Sequence, residues 1–214
     1  MKNSVKLIIL GIVSLLVVGF LFNGCSKYNA LVEQDEKMNT EKANVKTAWS
    51  KVENQYQRRA DLIPNLVETV KGYTKYEKEI ITNIEAARSG ILSIKKADPE
   101  DPNSVREYVE KQNRYNIGTW LMPIVAQYPE LKANQQFMNL QTQLEGTENR
   151  ITVARNDYIN QVNRYNEAVQ KYNTYIRKFP NNIYAAIFGF HRKEVMENPF
   201  KAKEGSDVAP TIKF

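Results

Sequence analysis

From Asn134 to Phe179 the chain carries a stripe of apolar and small residues that only one kind of structure can use. The stripe is Phe137, Leu140, Leu144, Thr147, Ile151, Ala154, Tyr158, Val162, Tyr165, Val169, Tyr172, Ile176 and Phe179, in steps of three and four. A single pair of consecutive fours at Tyr158 resets the phase. This is the seam of a helix buried along one side. Asn134 is placed to cap its start and Pro180 to stop it. At ~1.5 Å per residue such a helix is roughly 65 Å long. It cannot bury the stripe against itself, so other helices must come from the rest of the chain.

A second three-four rhythm runs through Leu31, Asp35, Met38, Lys42, Val45, Trp49, Val52, Tyr56, Arg59 and Ile63, and continues from Leu66 to Ile94. Pro64 lies inside it and cannot donate the backbone bond a helix needs. An unbroken register favours a kink there, and the great length favours a break. The expectation is a break near Ala60 with a restart at Leu66, Asn65 and Glu68 acting as a cap pair. Asp98–Asn103 is rich in residues that end helices. Ser104 and Glu107 have the spacing of a capping box for a third helix, along which Gly118 and Pro123 predict an interruption. After Pro180, Ile183–Phe188 reads as a short helix closing one end of the bundle, with a second membrane contact as the alternative. The fold expected is all-α: an antiparallel, up-and-down four-helix bundle, with helices near 29–61, 65–95, 104–127 and 134–179. The last is a very long C-terminal helix, the bundle ends near residue 190, and residues 191–214 form an irregular tail.

Residues 1–25 are a different kind of polymer. Lys2 and Lys6 precede an apolar run from Leu7 to Phe22, followed by Asn23-Gly24-Cys25. Sixteen residues fall short of the ~20 that span a bilayer. A small residue before the chain's only Cys fits a bacterial lipoprotein signal, which would make Cys25 a lipidation site; an uncleaved membrane anchor is the other reading. Both tether the chain to the bacterial cell envelope, with Lys2 and Lys6 on the cytoplasmic side and the bundle on the extracytoplasmic side. One Cys excludes a disulfide within the chain. The net charge is +6, of which Lys2 and Lys6 supply two. The remaining Lys and Arg are interleaved with acids and form no stripe that tracks phosphates, so no nucleic acid partner is expected.

The search for chemistry is mostly negative. The one His, His191, stands beside Arg192 and Lys193 near the tail. There is no metal-ligand spacing, no Gly-rich phosphate loop and no nucleophile motif. No metal, cofactor or enzymatic activity is expected. Glu145 and Glu148 are a carboxylate pair, but Arg150 and Arg155 are close in sequence, as in ion pairs on a helix face. Two polar stretches stand out. Gln55–Val67 contains Arg58, Arg59 and Asp61, with Arg59 on the helical seam, where a charge requires a partner. Leu144–Ile151 contains Glu145, Glu148 and Arg150, with Gly146 and Thr147 small enough for another helix to come close. Pairing Arg58 or Arg59 with Glu145 or Glu148 would fix the register of two helices. The functional alternative is a polar groove that receives a peptide or protein partner.

These stretches also carry a resemblance. Asn54–Tyr73 (NQYQRRADLIPNLVETVKGY), Tyr128–Asn134, Leu140–Arg155 (LQTQLEGTENRITVAR), the Tyr165-Asn166 and Tyr172-Asn173 pairs, Phe179-Pro180, Gly189-Phe190 and Pro210–Phe214 resemble the LemA family of bacterial membrane-anchored proteins. Pro123 and the Asn23-Gly24-Cys25 box depart from the usual pattern. The resemblance implies an antiparallel helical bundle behind an N-terminal membrane segment, and no particular reaction or ligand. The expected function is non-enzymatic: scaffolding or binding of protein partners. A lipid-sensing or membrane-remodelling role is the alternative, and an enzyme of unrecognised type is disfavoured.

Overall fold

The structure is a computed structural model that describes residues 2–71, 78–115, 125–126 and 128–200. Those residues are all-helical in their regular structure, with no strand among them. In chain order the helices are α1 (Lys2–Asp61), α2 (Ile63–Lys71), α3 (Lys78–Leu92), α4 (Pro102–Arg114), α5 (Gln135–Arg177) and α6 (Asn181–Phe188), with a 3-10 turn at Pro129–Ala133 before α5. Of the expected third helix, residues 116–124 and 127 lie outside the described residues, and with them Gly118, Trp120 and Pro123. So do residues 72–77 of the second and the closing Pro210–Phe214.

The long C-terminal helix is present, 43 residues from Gln135 to Arg177, but α1 is longer still at 60. α1 runs without interruption from the apolar N-terminal segment through Cys25 to Asp61. Among the described residues, no helix is long and apolar enough to cross a membrane. The expected transmembrane helix therefore gains no support beyond the short Leu7–Phe22 run.

Helix starts differ from expectation in instructive ways. At the first break α1 stops at Asp61 and α2 already begins at Ile63, with Pro64 in its first turn. Proline is tolerated there because first-turn amides have no helical acceptor. Asn65 is consequently inside α2, where its carbonyl accepts from the Thr69 hydroxyl at 2.9 Å, rather than capping it. α4 starts two residues before the expected Ser104. Its cap is Asp101, whose Oδ1 accepts from the Asn103 amide at 2.9 Å, and Pro102 occupies the first helical position. Ser104 instead accepts from the Asp98 amide and ties down the preceding loop. At α5 the expected cap is found: the Phe137 amide donates to Asn134 Oδ1 at 2.9 Å. α6 closes on Gly189, whose φ of 75° is the left-handed conformation that glycine adopts without steric cost.

The α5 seam is buried at every position from Phe137 to Ile176, whereas Phe179, beyond the helix, is 81% exposed. The chain divides into two compact units, residues 1–43 with 163–195, and residues 44–162 with 196–214. In the first, Leu31, Met38, Tyr165, Val169, Tyr172 and Ile176 are buried. The segment after α6 has no regular structure but is held in place. The Tyr172 hydroxyl donates to the His191 carbonyl at 3.0 Å, and Asn173 pairs in both directions with the Lys193 backbone at 2.8 and 3.0 Å.

In the second unit an apolar cluster forms from Ala60, Ile63, Leu66, Val67, Val70, Ile84, Ile91, Leu131, Phe137 and Leu144. Beside it, Trp49 meets Tyr158 and Tyr108 edge-on at 5.3 and 5.6 Å, and Tyr108 meets Tyr56 at 5.7 Å. The Tyr158 hydroxyl donates to the Pro99 carbonyl at 2.9 Å, so a seam tyrosine also fastens the loop before α4. Gly146 was expected to admit a neighbouring helix, yet a side chain there would meet nothing within 4 Å. The close approach occurs at Gly90 of α3 instead, where a Cβ would fall on the Tyr115 ring.

Candidate functional site

The polar centre of the second unit is built on Arg59, which the α1 periodicity places among buried apolar neighbours and which is 1% exposed. A guanidinium taken out of water is costly unless its donors are satisfied. Here Nη1 donates to Glu148 Oε1 at 3.0 Å, and Nη2 donates to both the backbone carbonyl and the side-chain Oε1 of Gln112, at 2.8 and 3.0 Å. The cation also lies 5.0 Å from the Tyr56 ring centre, a favourable cation–π distance. One donor, Nε, is buried without a partner. The Glu148 side chain is 43% exposed, so the ion pair reaches from the interior to the rim. A second pair, Lys51 with Asp157 at 3.0 Å, shows the register. As α1 advances from 51 to 59, its partner on α5 retreats from 157 to 148, so these segments run antiparallel.

Of the residues singled out in the sequence, only Arg59 and Glu148 are brought together. Arg58 and Arg150 are exposed. Asp61, also exposed, accepts from Gln57 at 2.9 Å, one turn away on its own helix. Glu145 likewise accepts from Gln141 at 2.9 Å. Gln112 was not anticipated. The signal was present, because it continues the apolar face of α4 after Val105, Tyr108 and Val109 at helical spacing. A long amide on such a face needs a buried donor, and Arg59 is that donor.

Next to this centre is a cavity of about 400 Å³, lined among others by Ser50, Glu53, Asn54, Tyr56, Tyr108 and Gln112. Glu53 Oε1 is buried there without a hydrogen-bond partner. Burial pushes the Tyr108 phenol up to about 12, with the Gln112 hydrogen bond opposing and the Glu53 charge adding. Burial likewise raises Tyr56, against the cations of Arg155 and Arg59. The cavity can accept hydrogen bonds and favours a donor or cation near Glu53, but it presents no nucleophile beside a base. Among the described residues, no three His, Cys, Asp or Glu side chains gather as a metal would require.

Cys25 is exposed on α1. With Gly24, Tyr28, Asn29, Tyr184, Ile187 and Phe188 it lines an apolar groove of about 510 Å³. Tyr28 packs edge-on against Phe188 at 5.0 Å and Phe190 at 6.2 Å. His191 is exposed, and its backbone carbonyl, not its ring, makes the contact with Tyr172.

A helical protein held together by long amphipathic helices, with an internal Arg-centred polar network and an apolar N-terminal extension of its first helix, is the class these features define. Within that class the chain belongs to the LemA family, whose model matches residues 48–214. It is also similar to the magnetosome proteins MamQ 1 and MamQ 2 of Paramagnetospirillum magneticum (strain ATCC 700264 / AMB-1). Each is 27% identical to it, over 85% of this chain and 68% of the relative. The region that the family model matches includes both polar stretches, Gln55–Val67 and Leu144–Ile151.

Proposed function

We propose that the chain is a non-enzymatic, membrane-tethered protein of the bacterial cell envelope whose helices form an antiparallel bundle that binds or scaffolds protein partners. The carrying observation is the self-contained polar centre. Both terminal nitrogens of Arg59 are consumed by acceptors of this same chain, Gln112 and Glu148. The most chemically distinctive residues thus hold helices in register, and among the described residues no arrangement of acid, base and nucleophile accompanies them. Partner binding then falls to the exposed helix faces, whose charged residues include Arg58, Asp61, Glu145 and Arg150. The tether is the Leu7–Phe22 segment or a lipid on Cys25, with the bundle on the extracytoplasmic side. The similarity to magnetosome proteins supports a place in a larger assembly.

The test is photocrosslinking in intact cells from positions 58, 61, 145 and 150, each replaced by a photoreactive residue, with the adducts identified by mass spectrometry. Reproducible protein adducts at these positions are the expected result. Their absence at all four, together with turnover of a cell-wall or lipid substrate by the purified protein, would overturn the reading.

A further inference from the structure

α6 is short, has no charged residue, and shows two faces that differ in what covers them. Asn181, Tyr184 and Ala185 are buried. Ile183 and Ile187, one turn apart, are 41% and 60% exposed, and Phe188 is 39% exposed. An apolar face left open this way marks an interaction surface. Its place identifies the partner. Tyr184, Ile187 and Phe188 share the apolar groove with Gly24 and Cys25, the residues at the outer end of the apolar segment of α1. Either form of tether, an intact anchor or a lipidated Cys25, brings residue 25 to the lipid boundary, and α6 comes there with it.

The dimensions agree. The sixteen residues Leu7–Phe22 rise ~24 Å as helix, short of the ~30 Å hydrocarbon layer. The exposed side chains of Tyr28, Ile187 and Phe188 continue an apolar band where the segment ends, and a tyrosine at that level suits the membrane interface. Charge agrees as well. Arg177 and Lys178 immediately precede α6, and Arg192 follows it; all three are exposed. Cations flanking an apolar helix face favour a surface of anionic headgroups.

We propose that α6 is a second membrane contact, its Ile183–Ile187–Phe188 face seated among the acyl chains of the bilayer beside residue 25. This rests on the membrane-tethered reading above, and the test separates the two. The full-length protein is expressed with a photoreactive benzoylphenylalanine at Ile187, at Ile183 or, as a control, at the exposed Thr174 of α5. Membranes are washed with alkaline carbonate, irradiated, and the adducts are weighed. The expected result is retention in the membrane with phospholipid adducts at 187 and 183 and none at 174. Retention without lipid adducts at both 183 and 187 would overturn this inference and leave the tether intact, as would adducts to protein in place of lipid. Release of the protein by carbonate would overturn both. Two probe positions guard against one substitution that fails to fold.

Discussion

Arg59 meets Gln112 twice through a single nitrogen: Nη2 donates to the backbone carbonyl at 2.8 Å and to the side-chain Oε1 at 3.0 Å. Gln112 is 2% exposed, so its two acceptors are left inside the fold without their charged donor if the guanidinium is removed. Glu148, by contrast, is nearly half exposed and regains water readily. The energetic partner of Arg59 is therefore the amide more than the acid. Arg59→Met is expected to destabilise the fold by about 3–5 kcal/mol, the usual cost of breaking a buried charged network on one side. Gln112→Leu in the same chain should recover part of that, because it removes one stranded acceptor. Glu148→Gln should recover less than about 0.5 kcal/mol, the range of a surface change. Chemical denaturation of the wild type, the three single variants and the two double variants forms the double-mutant cycles. Larger relief from Glu148→Gln than from Gln112→Leu would reverse the assignment.

The parts of this architecture that were legible in the sequence are those written in periodicity. The α5 seam came through position by position because a 43-residue amphipathic helix repeats one signal many times. Arg59 stood out because it interrupts that kind of signal on α1. Its pairing was narrowed to four combinations, and only geometry could select Glu148 over Glu145, which lie one turn apart at the same rim. Gln112 is not marked out by residue type, since a glutamine is unremarkable unless its face is buried. The helix starts lie ahead of the caps expected at Asn65 and Ser104 for a local reason: proline at 64 and 102 is tolerated in a first turn, and here it stands in the first turn of both helices. Gly146 and Gly90 look alike in sequence, since what a glycine accommodates is contributed by a distant residue.

On the membrane-tethered reading proposed above, the nature of the tether is decided at Cys25, which is exposed and therefore open to modification. Cys25→Ser is expected to abolish metabolic labelling by fatty acid and leave a heavier, unprocessed protein, because a thiol is the acceptor in lipoprotein maturation and Gly24 provides the small residue before it. Mass spectrometry of both proteins reads the outcome. Equal masses and unchanged membrane fractionation would assign the tether to the uncut helix.

Tyr108 and Tyr158 give the fold an alkaline limit. Burial raises each phenol to about 12 from an ordinary value of 10.0. Below pH 10 both are protonated whether folded or unfolded, and they impose no pH dependence. Between pH 10 and about 12 the unfolded chain releases these protons while the folded chain keeps them, so stability must fall as pH rises. Equilibrium unfolding followed across that window should show the decline. Absorbance at the phenolate band should show Tyr108 and Tyr158, together with Tyr56 and Tyr172 that burial also raises, lagging the exposed tyrosines. Tyr158→Phe should reduce the slope, while its lost hydrogen bond to Pro99 lowers stability at every pH.

Gly90 and Gly146 provide matched opposites. Both sit inside helices, where glycine costs about 1 kcal/mol relative to alanine. At Gly146 an added methyl meets nothing within 4 Å, so Gly146→Ala should stabilise the protein by up to ~1 kcal/mol. At Gly90 the same methyl falls on the Tyr115 ring, which packs against the apolar cluster of Ile84, Ile91 and Leu131 and follows the end of α4. That ring has to leave its place, and overpacking of this kind costs about 1–3 kcal/mol, more than the helix gains. Gly90→Ala should therefore destabilise. Truncating the ring tests the cause: in a Tyr115→Ala background the same change should become neutral or stabilising. Thermal unfolding of the five proteins measures both signs. If Gly90→Ala stabilises as much as Gly146→Ala with Tyr115 intact, the ring swings aside at no cost and does not brace α3 against the end of α4.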